Sequence, residues 1–333
     1  MIITQTPLRM SFAGGGSDLP SFYRQFGGAV VSSAIDKYIY VNVNKKFDDG
    51  IRVSYSRTEE VASVDKIEHP IVRAALQKLN IPGGLEITSI ADIPSRGTGL
   101  GSSSSFTVGL LMALHAYESR YMSPGDLAEE SCTVEIELCG EPIGKQDQYA
   151  AAYGGLNFYR FEPDDSVIVE PILCSGDKLH QLQSSLVTFY TGTTRAASSI
   201  LADQSHQSQS NTATQSLMKR MVKLAYDLRA ELDNGDIDAL GEILDEGWRL
   251  KREVHPGISS SAIDDWYAAA KNAGAVGGKL LGAGGGGFLT FFAPPEKHAA
   301  IGKALGLRRI DLCLDRSGSR VLLYHNPLSR QPK

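Results

Sequence analysis

The densest run of chemistry-bearing residues is PSRGTGLGSSSSF, residues 94–106, in which Gly97, Gly99 and Gly101 alternate ahead of four consecutive serines, Ser102 to Ser105. A strand-like segment precedes the glycines and a helical pattern opens within the serines. The first backbone N–H groups of a helix have no partner inside it, and the helix dipole places positive potential there. Glycines let the main chain wrap closely around an anion, and serine hydroxyls add hydrogen bonds or a magnesium ligand. The chemistry this stretch supports is the gripping of a phosphate chain. The alternative is a purely structural turn.

Two familiar phosphate loops do not account for it. A P-loop requires G-x-x-x-x-G-K-[ST], and neither GEPIGKQD nor VGGKLLG supplies both the distal glycine and the following hydroxyl. A dinucleotide fingerprint requires G-x-G-x-x-G, and GTGLGS fails at its third glycine. The acidic residue such a site needs at the end of a second strand is missing too, since Glu118 falls inside a helical pattern. The seven histidines show no zinc-like spacing. Cys132, Cys139, Cys174 and Cys313 form no C-x-x-C pair and read as thiols of a reducing compartment.

The elements that must hold the loop are legible on both sides of it. In the N-terminal third MIITQT, AVVSSAI, KYIYVNVNKKF, IRVSYS and GLEITSI alternate with period two and read as strands. HPIVRAALQKLN starts a helix at its proline. After the serines, Phe106, Leu110, Leu114 and Tyr117 share one helical face. SPGDLAEESCTVEIELCG reads as a helix capped by Ser123 and stopped at Gly140, KQDQYAAAYGG as a short helix and LNFYRF as a strand. A new strand, LVTFYTG, follows a break at residues 175–185. ADQSHQSQSNTATQS, 202–216, is almost purely polar and reads as a loop or a solvated helix start. Two long helical patterns and a glycine-rich turn with strands complete the chain. The fold class is α+β, and 333 residues suit two domains, 1–180 and 181–333.

A hydrophobic content of 42% with 21% charged residues fits a folded, soluble protein. A net charge of −5 gives no electrostatic footprint for nucleic acid or an anionic membrane. MIITQTPLRMSF has no signal-peptide pattern, and no apolar run reaches the length of about eighteen residues that a membrane span needs. The expected compartment is the cytoplasm.

PSRGTGLGSSSSF resembles the second motif of the GHMP small-molecule kinases. TPLRMSFAGGGSD, 6–18, resembles their first motif and KLLGAGGGGF, 279–288, their third, in the same order along nearly the whole chain. The resemblance implies a ribosomal protein S5 domain 2-like N-terminal domain, a ferredoxin-like C-terminal domain, and ATP with Mg2+ as cofactors. It implies ATP contacts along Gly97, Gly99, Leu100, Gly101, Ser102, Ser103 and Ser104, with Ser103 and Glu135 holding the metal. Glu137 and Glu141 lie near Glu135, but on a helix Glu135 and Glu137 point about 200° apart, so one at most can serve. Arg9 and Asp18, nine positions apart, match the basic residue beside the γ-phosphate and the aspartate on the sugar hydroxyls. Gly15, Gly16 and Ser17 fall in that same substrate-binding motif. Read without the resemblance, Arg9 serves equally as a surface ion pair and Asp18 as an Asx-turn. Gly140 and Asp147 keep the seven-residue spacing of the catalytic-aspartate segment of galactokinase-like members. The glycines Gly284 to Gly287 are expected to pack against the phosphate loop. The galactokinase continuation Gly-Glu-His-Thr-Asp is replaced here by GGGSD, which argues against galactose.

Within the family, TPLRMSFAGGGSD, AIDKYIYV, QDQYAAAYGGLNF and YTGTTRAAS look most like the bacterial D-glycero-D-manno-heptose 7-phosphate kinases. That implies phosphorylation of an anomeric hydroxyl on the way to nucleotide-activated heptose for surface polysaccharide. The partners implied are a sugar phosphate and ATP, with a homodimer left open. A phosphorylated acceptor calls for a cation at its far end. Arg195 is the expected one, with Arg24 and Lys37 behind it. The competing readings are a GHMP kinase for fucose or a hexose, and a sugar sensor that binds without turnover. Arg9, Asp147, Ser103 and Glu135 argue against the sensor, which needs no phosphoryl chemistry.

Overall fold

The period-two patterns become one sheet. In the computed structural model, which describes residues 1–93, 97–193 and 197–325, β1 (Ile2–Ala13) runs on past MIITQT into the first glycine motif. Helix α1 (Pro20–Phe26) follows, and AVVSSAI and KYIYVNVNKKF join into a single long strand, β2 (Gly28–Lys45). The β1–β2 ladder shifts register between Pro7 and Leu8, where proline has no N–H to give, and again between Ser11 and Ala13. Arg9 lies between these two irregularities.

The chain continues through β3 (Ile51–Ser54), β4 (Thr58–Val61), α2 (Pro70–Lys78), β5 (Leu85–Ala91) and α3 (Ser102–Tyr117). Then come α4 (Pro124–Cys132), α5 (Gln146–Tyr153), β6 (Leu156–Phe161), β7 (Val167–Pro171) and α6 (Gly176–Ser184). The second part holds β8 (Leu186–Tyr190), α7 (Ala197–Ser210), α8 (Thr212–Asp233), α9 (Ala239–Val254) and α10 (Ser261–Asn272). It ends with β9 (Gly277–Leu280), β10 (Phe288–Phe292), α11 (His298–Leu305), β11 (Arg308–Ile310) and β12 (Arg320–Tyr324).

The first sheet has the order β12–β1–β2–β5–β3–β4, with β6 beside β2 and β7 outside it. The length of β2 lets it pair β6 along Gly28–Ser33 and β5 along Ile39–Lys45. The second sheet, β11–β8–β10–β9, is antiparallel throughout. Its order by sequence, last–first–third–second, is the ferredoxin-like one. β12 then leaves this part and pairs with β1, Tyr324 opposite Ile2.

Helix α3 differs from its sequence pattern. One apolar face is expected, yet Ser104, Ser105, Thr107, Val108 and Leu111 are buried along with Leu110 and Leu114. The helix lies between β1 and β2 on one side and α4 and α5 on the other, so every face meets protein. Ser105 Oγ donates to Pro7 O (2.8 Å) and Thr4 Oγ1 to Gly109 O (2.9 Å), which fixes the helix on β1. The polar 202–216 stretch is helical: it closes α7 and opens α8, where the Asn211 side chain caps Ala213 N and Thr214 N. Gln204 and Ser208 of α7 are buried, and Ser208 Oγ bonds Ser21 Oγ of α1 at 2.8 Å. A separate core around Trp248, Phe189 and Phe291 stabilises the second part. Among the described residues no helix is long and apolar enough to cross a membrane.

Candidate active site

A cavity of about 960 Å³ opens between the two parts, and the glycine-serine loop forms one wall. Gly97, Gly99 and Gly101 have φ of 68°, 78° and 76°, the left-handed region that only glycine enters without strain. A Cβ on Gly99 would stand 2.2 Å from Leu281 O, and one on Gly282 would stand 2.3 Å from Gly99 Cα. Two turns far apart in sequence therefore touch main chain to main chain. Gly287 comes equally close to Thr98 O (2.4 Å). Gly284 and Gly286 pack elsewhere, on Ile258 and Thr193. Of the expected four glycines one meets the loop, and Gly282 supplies the other contact. Leu100 is buried in the core, and its carbonyl accepts from Arg9 N (3.0 Å).

Ser102, Ser103 and Ser104, in the first turn of α3, line the cavity. Ser103 Oγ donates to Glu135 Oε1 (2.9 Å), and Gln148 Nε2 donates to Glu135 Oε2 (2.6 Å). Glu135 is fully buried, and burial pushes its carboxyl up to about 7 against the hydrogen bonds of Ser104, Ser103 and Gln148. The expected α-helix widens here: Thr133–Leu138 is a π turn, with Cys139 N bonding Val134 O, five residues back, at 3.0 Å. Such turns insert one residue and re-aim a side chain. Glu135 faces inward and Glu137 is exposed.

Arg9 meets Asp147 twice, Nε to Oδ1 at 2.7 Å and Nη2 to Oδ2 at 2.8 Å. Its remaining nitrogen, Nη1, donates to Gly99 O (2.6 Å), so one guanidinium joins the phosphate loop to the start of α5. Asp18, 3% exposed, follows along the same wall. Its carboxylate accepts from Gly16 N (2.9 Å) and Gln146 N (3.2 Å). Burial and then the nearby Asp147 charge hold the Asp18 carboxyl above its usual range. Gly15 and Gly16 line the cavity, but Ser17 does not: its hydroxyl straps to the main chain of Ala29 at 3.1 Å.

The expected distal cations fare differently. Arg195 lies outside the described residues. Arg24 pairs with Asp165 and Lys37 with Asp36, and neither lines the cavity. Three cations that the sequence reading did not single out do line it: Lys251 of α9, Lys279 of β9, and Arg57, which is exposed and paired with Glu68. Gln204 of α7 joins them. At the opposite end His69 stands between Tyr55 and Phe106, with ring centroids 4.8 and 5.2 Å away. Ile90 and Ile93 extend that apolar wall.

The arrangement suits ATP with a divalent cation. Thr98 Oγ1 and Ser11 Oγ belong to residues that line the cavity and are buried with no hydrogen-bond partner among the described residues. A serine hydroxyl and a buried carboxylate beside a helix N-terminus are hard oxygen donors of the kind magnesium takes, completed by phosphate oxygens and water. Among the described residues no cluster of three His, Cys, Asp or Glu could hold an ion unaided. The flat apolar end suits a heteroaromatic base.

Comparison with known proteins agrees with this geometry. Residues 67–155 match the family profile described as GHMP kinases N terminal domain, and residues 228–305 the one described as GHMP kinases C terminal. The D-glycero-alpha-D-manno-heptose 7-phosphate kinase of Campylobacter jejuni is 31% identical over 321 residues, 91% of this chain and 93% of that protein. The bifunctional fucokinase/GDP-fucose pyrophosphorylase of Arabidopsis thaliana is 28% identical over 319 residues, 89% of this chain but 30% of that longer protein. The crystal structure of a D-glycero-D-manno-heptose 1-phosphate kinase from Bacteriodes thetaiotaomicron superposes with a TM-score of 0.80 at 25% identity, covering 98% of this chain and 100% of that one. This chain belongs to the GHMP kinases, and within them it is an ATP-dependent sugar kinase.

Proposed function

We propose that this kinase phosphorylates the anomeric hydroxyl of D-glycero-D-manno-heptose 7-phosphate, giving the 1,7-bisphosphate for nucleotide-heptose and surface polysaccharide synthesis. The observation that carries the reading is the two-point Arg9–Asp147 pair, tied through Gly99 O to the phosphate loop and followed at once by buried Asp18. The heptose 7-phosphate kinase of Campylobacter jejuni, similar over nearly the full length, supports the choice of sugar.

In this reading the acceptor hydroxyl lies against Asp147, which orients it and takes its proton late, as a loose transition state allows. Arg9 stabilises the charge that spreads over the transferring group. Asp18 orients the ring by accepting from sugar hydroxyls. Ser103 and Glu135 would hold magnesium, and the main chain at Gly97, Gly99 and Gly101 with Ser102 and Ser104 would grip the phosphates. When bound, ATP supplies the phosphoryl group and Mg2+ neutralises its oxygens. Tyr55, His69 and Phe106 would take the base. Residues 1–180 then carry the loop and the reacting pair, and residues 181–333 close the sugar end.

The second reading, a kinase for fucose or another unphosphorylated sugar, draws on the fucokinase similarity. A coupled ADP-release assay over a panel of sugars and sugar phosphates separates the two. Turnover of heptose 7-phosphate well above that of heptose, fucose and galactose is the expected result. Preference for an unphosphorylated sugar rejects the proposal, and release of no ADP with any sugar favours a sensor.

A further inference from the structure

The cavity wall carries two buried ammonium groups that the family-derived roles leave unused. Lys251 is 7% exposed and Lys279 is 6% exposed, and both line the cavity. The partner of each is a main-chain carbonyl: Gly282 O for Lys251 Nζ, and Phe12 O, 3.2 Å away, for Lys279 Nζ. Neither forms an ion pair with a carboxylate among the described residues. The carboxylates nearest in charge terms, Asp147 and Asp18, are engaged by Arg9 and by the main chain of Gly16 and Gln146. An ammonium has three donors, so each lysine has two left over at a single carbonyl contact. Buried cations without counter-ions are unfavourable unless a ligand supplies the anion.

The placement points to the acceptor end of that ligand. Lys279 is anchored at Phe12, three residues beyond Arg9 along β1. At about 3.3 Å per residue the Phe12 carbonyl is about 10 Å along the main chain from Arg9, the scale of a seven-carbon sugar from first to last oxygen. Lys251 is bonded to Gly282, in the turn that backs the phosphate loop. The other end of the cavity is aromatic and the loop has its own donors. Burial and then the Arg9 charge push Lys251 below its usual range against Asp18 and Asp147, and burial with the Lys251 and Arg9 charges pushes Lys279 below its own.

We propose that Lys251 and Lys279 together form the subsite for the phosphate group of the acceptor, which selects a sugar phosphate over a neutral sugar. This rests on the reading of the acceptor as a phosphorylated heptose.

The test is steady-state kinetics of the full chain carrying Lys251→Met, Lys279→Met or the corresponding arginine substitutions. Heptose 7-phosphate and unphosphorylated heptose serve as acceptors. Each methionine variant is expected to raise KM for heptose 7-phosphate about 10- to 100-fold, the worth of a charge-assisted hydrogen bond. KM for ATP stays unchanged, and arginine restores binding in part. A thermal midpoint at or above wild type is expected, because an unpaired buried charge is removed. Inorganic phosphate is expected to compete with the sugar phosphate in wild type and to lose that effect in Lys279→Met.

An unchanged acceptor KM in folded variants overturns the subsite while the acceptor reading stands. A loss confined to kcat and KM for ATP assigns the lysines to the transferred phosphoryl group and also overturns it. Wild type that turns over only neutral sugars rejects the acceptor reading and the subsite together. Should the methionine variants not fold, phosphate inhibition of wild type decides: competition with the acceptor supports the proposal, and its absence overturns it.

Discussion

Arg9 and Asp147, 138 residues apart in sequence, face each other through two parallel hydrogen bonds of 2.7 and 2.8 Å, with Arg9 4% exposed. The fork geometry fixes both groups in one plane, as a guanidinium–carboxylate pair does best. Phosphoryl transfer asks the protein mainly for position and charge, and in the proposed reading this pair supplies both beside the glycine-serine loop. Asp147→Asn is therefore expected to lower kcat about a thousandfold with little change in KM for ATP. The check is single-turnover ADP formation with a circular dichroism control for folding.

Glu135 sits in the π turn and is bonded to Ser103, so if the two hold magnesium as proposed, its loss acts on the metal before the sugar. Glu135→Gln keeps the shape and the Gln148 contact region while removing the charge. The magnesium concentration for half-maximal rate is expected to rise about 10- to 100-fold, with acceptor KM unchanged. Titration of the rate with magnesium at fixed ATP measures it.

Burial first, and then the Arg9 charge, bring Lys251 down to about 8, while Asp18 and Asp147 hold it up. Lys279, also lowered, faces the same Lys251 and Arg9 charges. Below that pH Lys251 is a cation and above it a neutral amine. The value of kcat/KM for a phosphorylated acceptor, which reports the free enzyme, is thus expected to fall above about pH 8. Lys251→Arg is expected to lessen the fall, with Lys279 left to titrate, and an acceptor without the phosphate does not show it.

Gly99 and Gly282 meet with no room for a side chain between them. Gly99→Ala or Gly282→Ala must part the two turns, at a cost of about 1–3 kcal/mol. The expected signs are a lower thermal midpoint and a KM for ATP raised about tenfold or more. Differential scanning calorimetry and ATP-dependent kinetics read the two effects.

The sequence reveals the local devices of this fold more readily than the distant ones. Alternating glycines ahead of serines announce a close main-chain approach, and the proline-opened patterns at Pro70 and Pro124 do start helices. The burial of α3 on every side was hidden, because Ser104, Ser105 and Thr107 are polar and only partners on β1 and α4 bring them inside. The π turn was hidden as well, since an added residue leaves an apolar pattern nearly intact. Lys251 left a signal: it continues the buried stripe of Leu240, Leu244 and Trp248 on α9, where a solvated lysine has no place. Lys279 left a weaker one, a charge inside a strand buried at all four positions. What neither signal carries is that the two ammoniums meet in one cavity, which requires β9, α9 and β1 to be assembled.

The most direct test of the central claim is phosphorus NMR of the product formed from ATP and heptose 7-phosphate. A new phosphomonoester resonance coupled to the anomeric proton is expected, with the original 7-phosphate signal retained. A new phosphate on any other carbon, or none while a neutral sugar is phosphorylated, would contradict the claim.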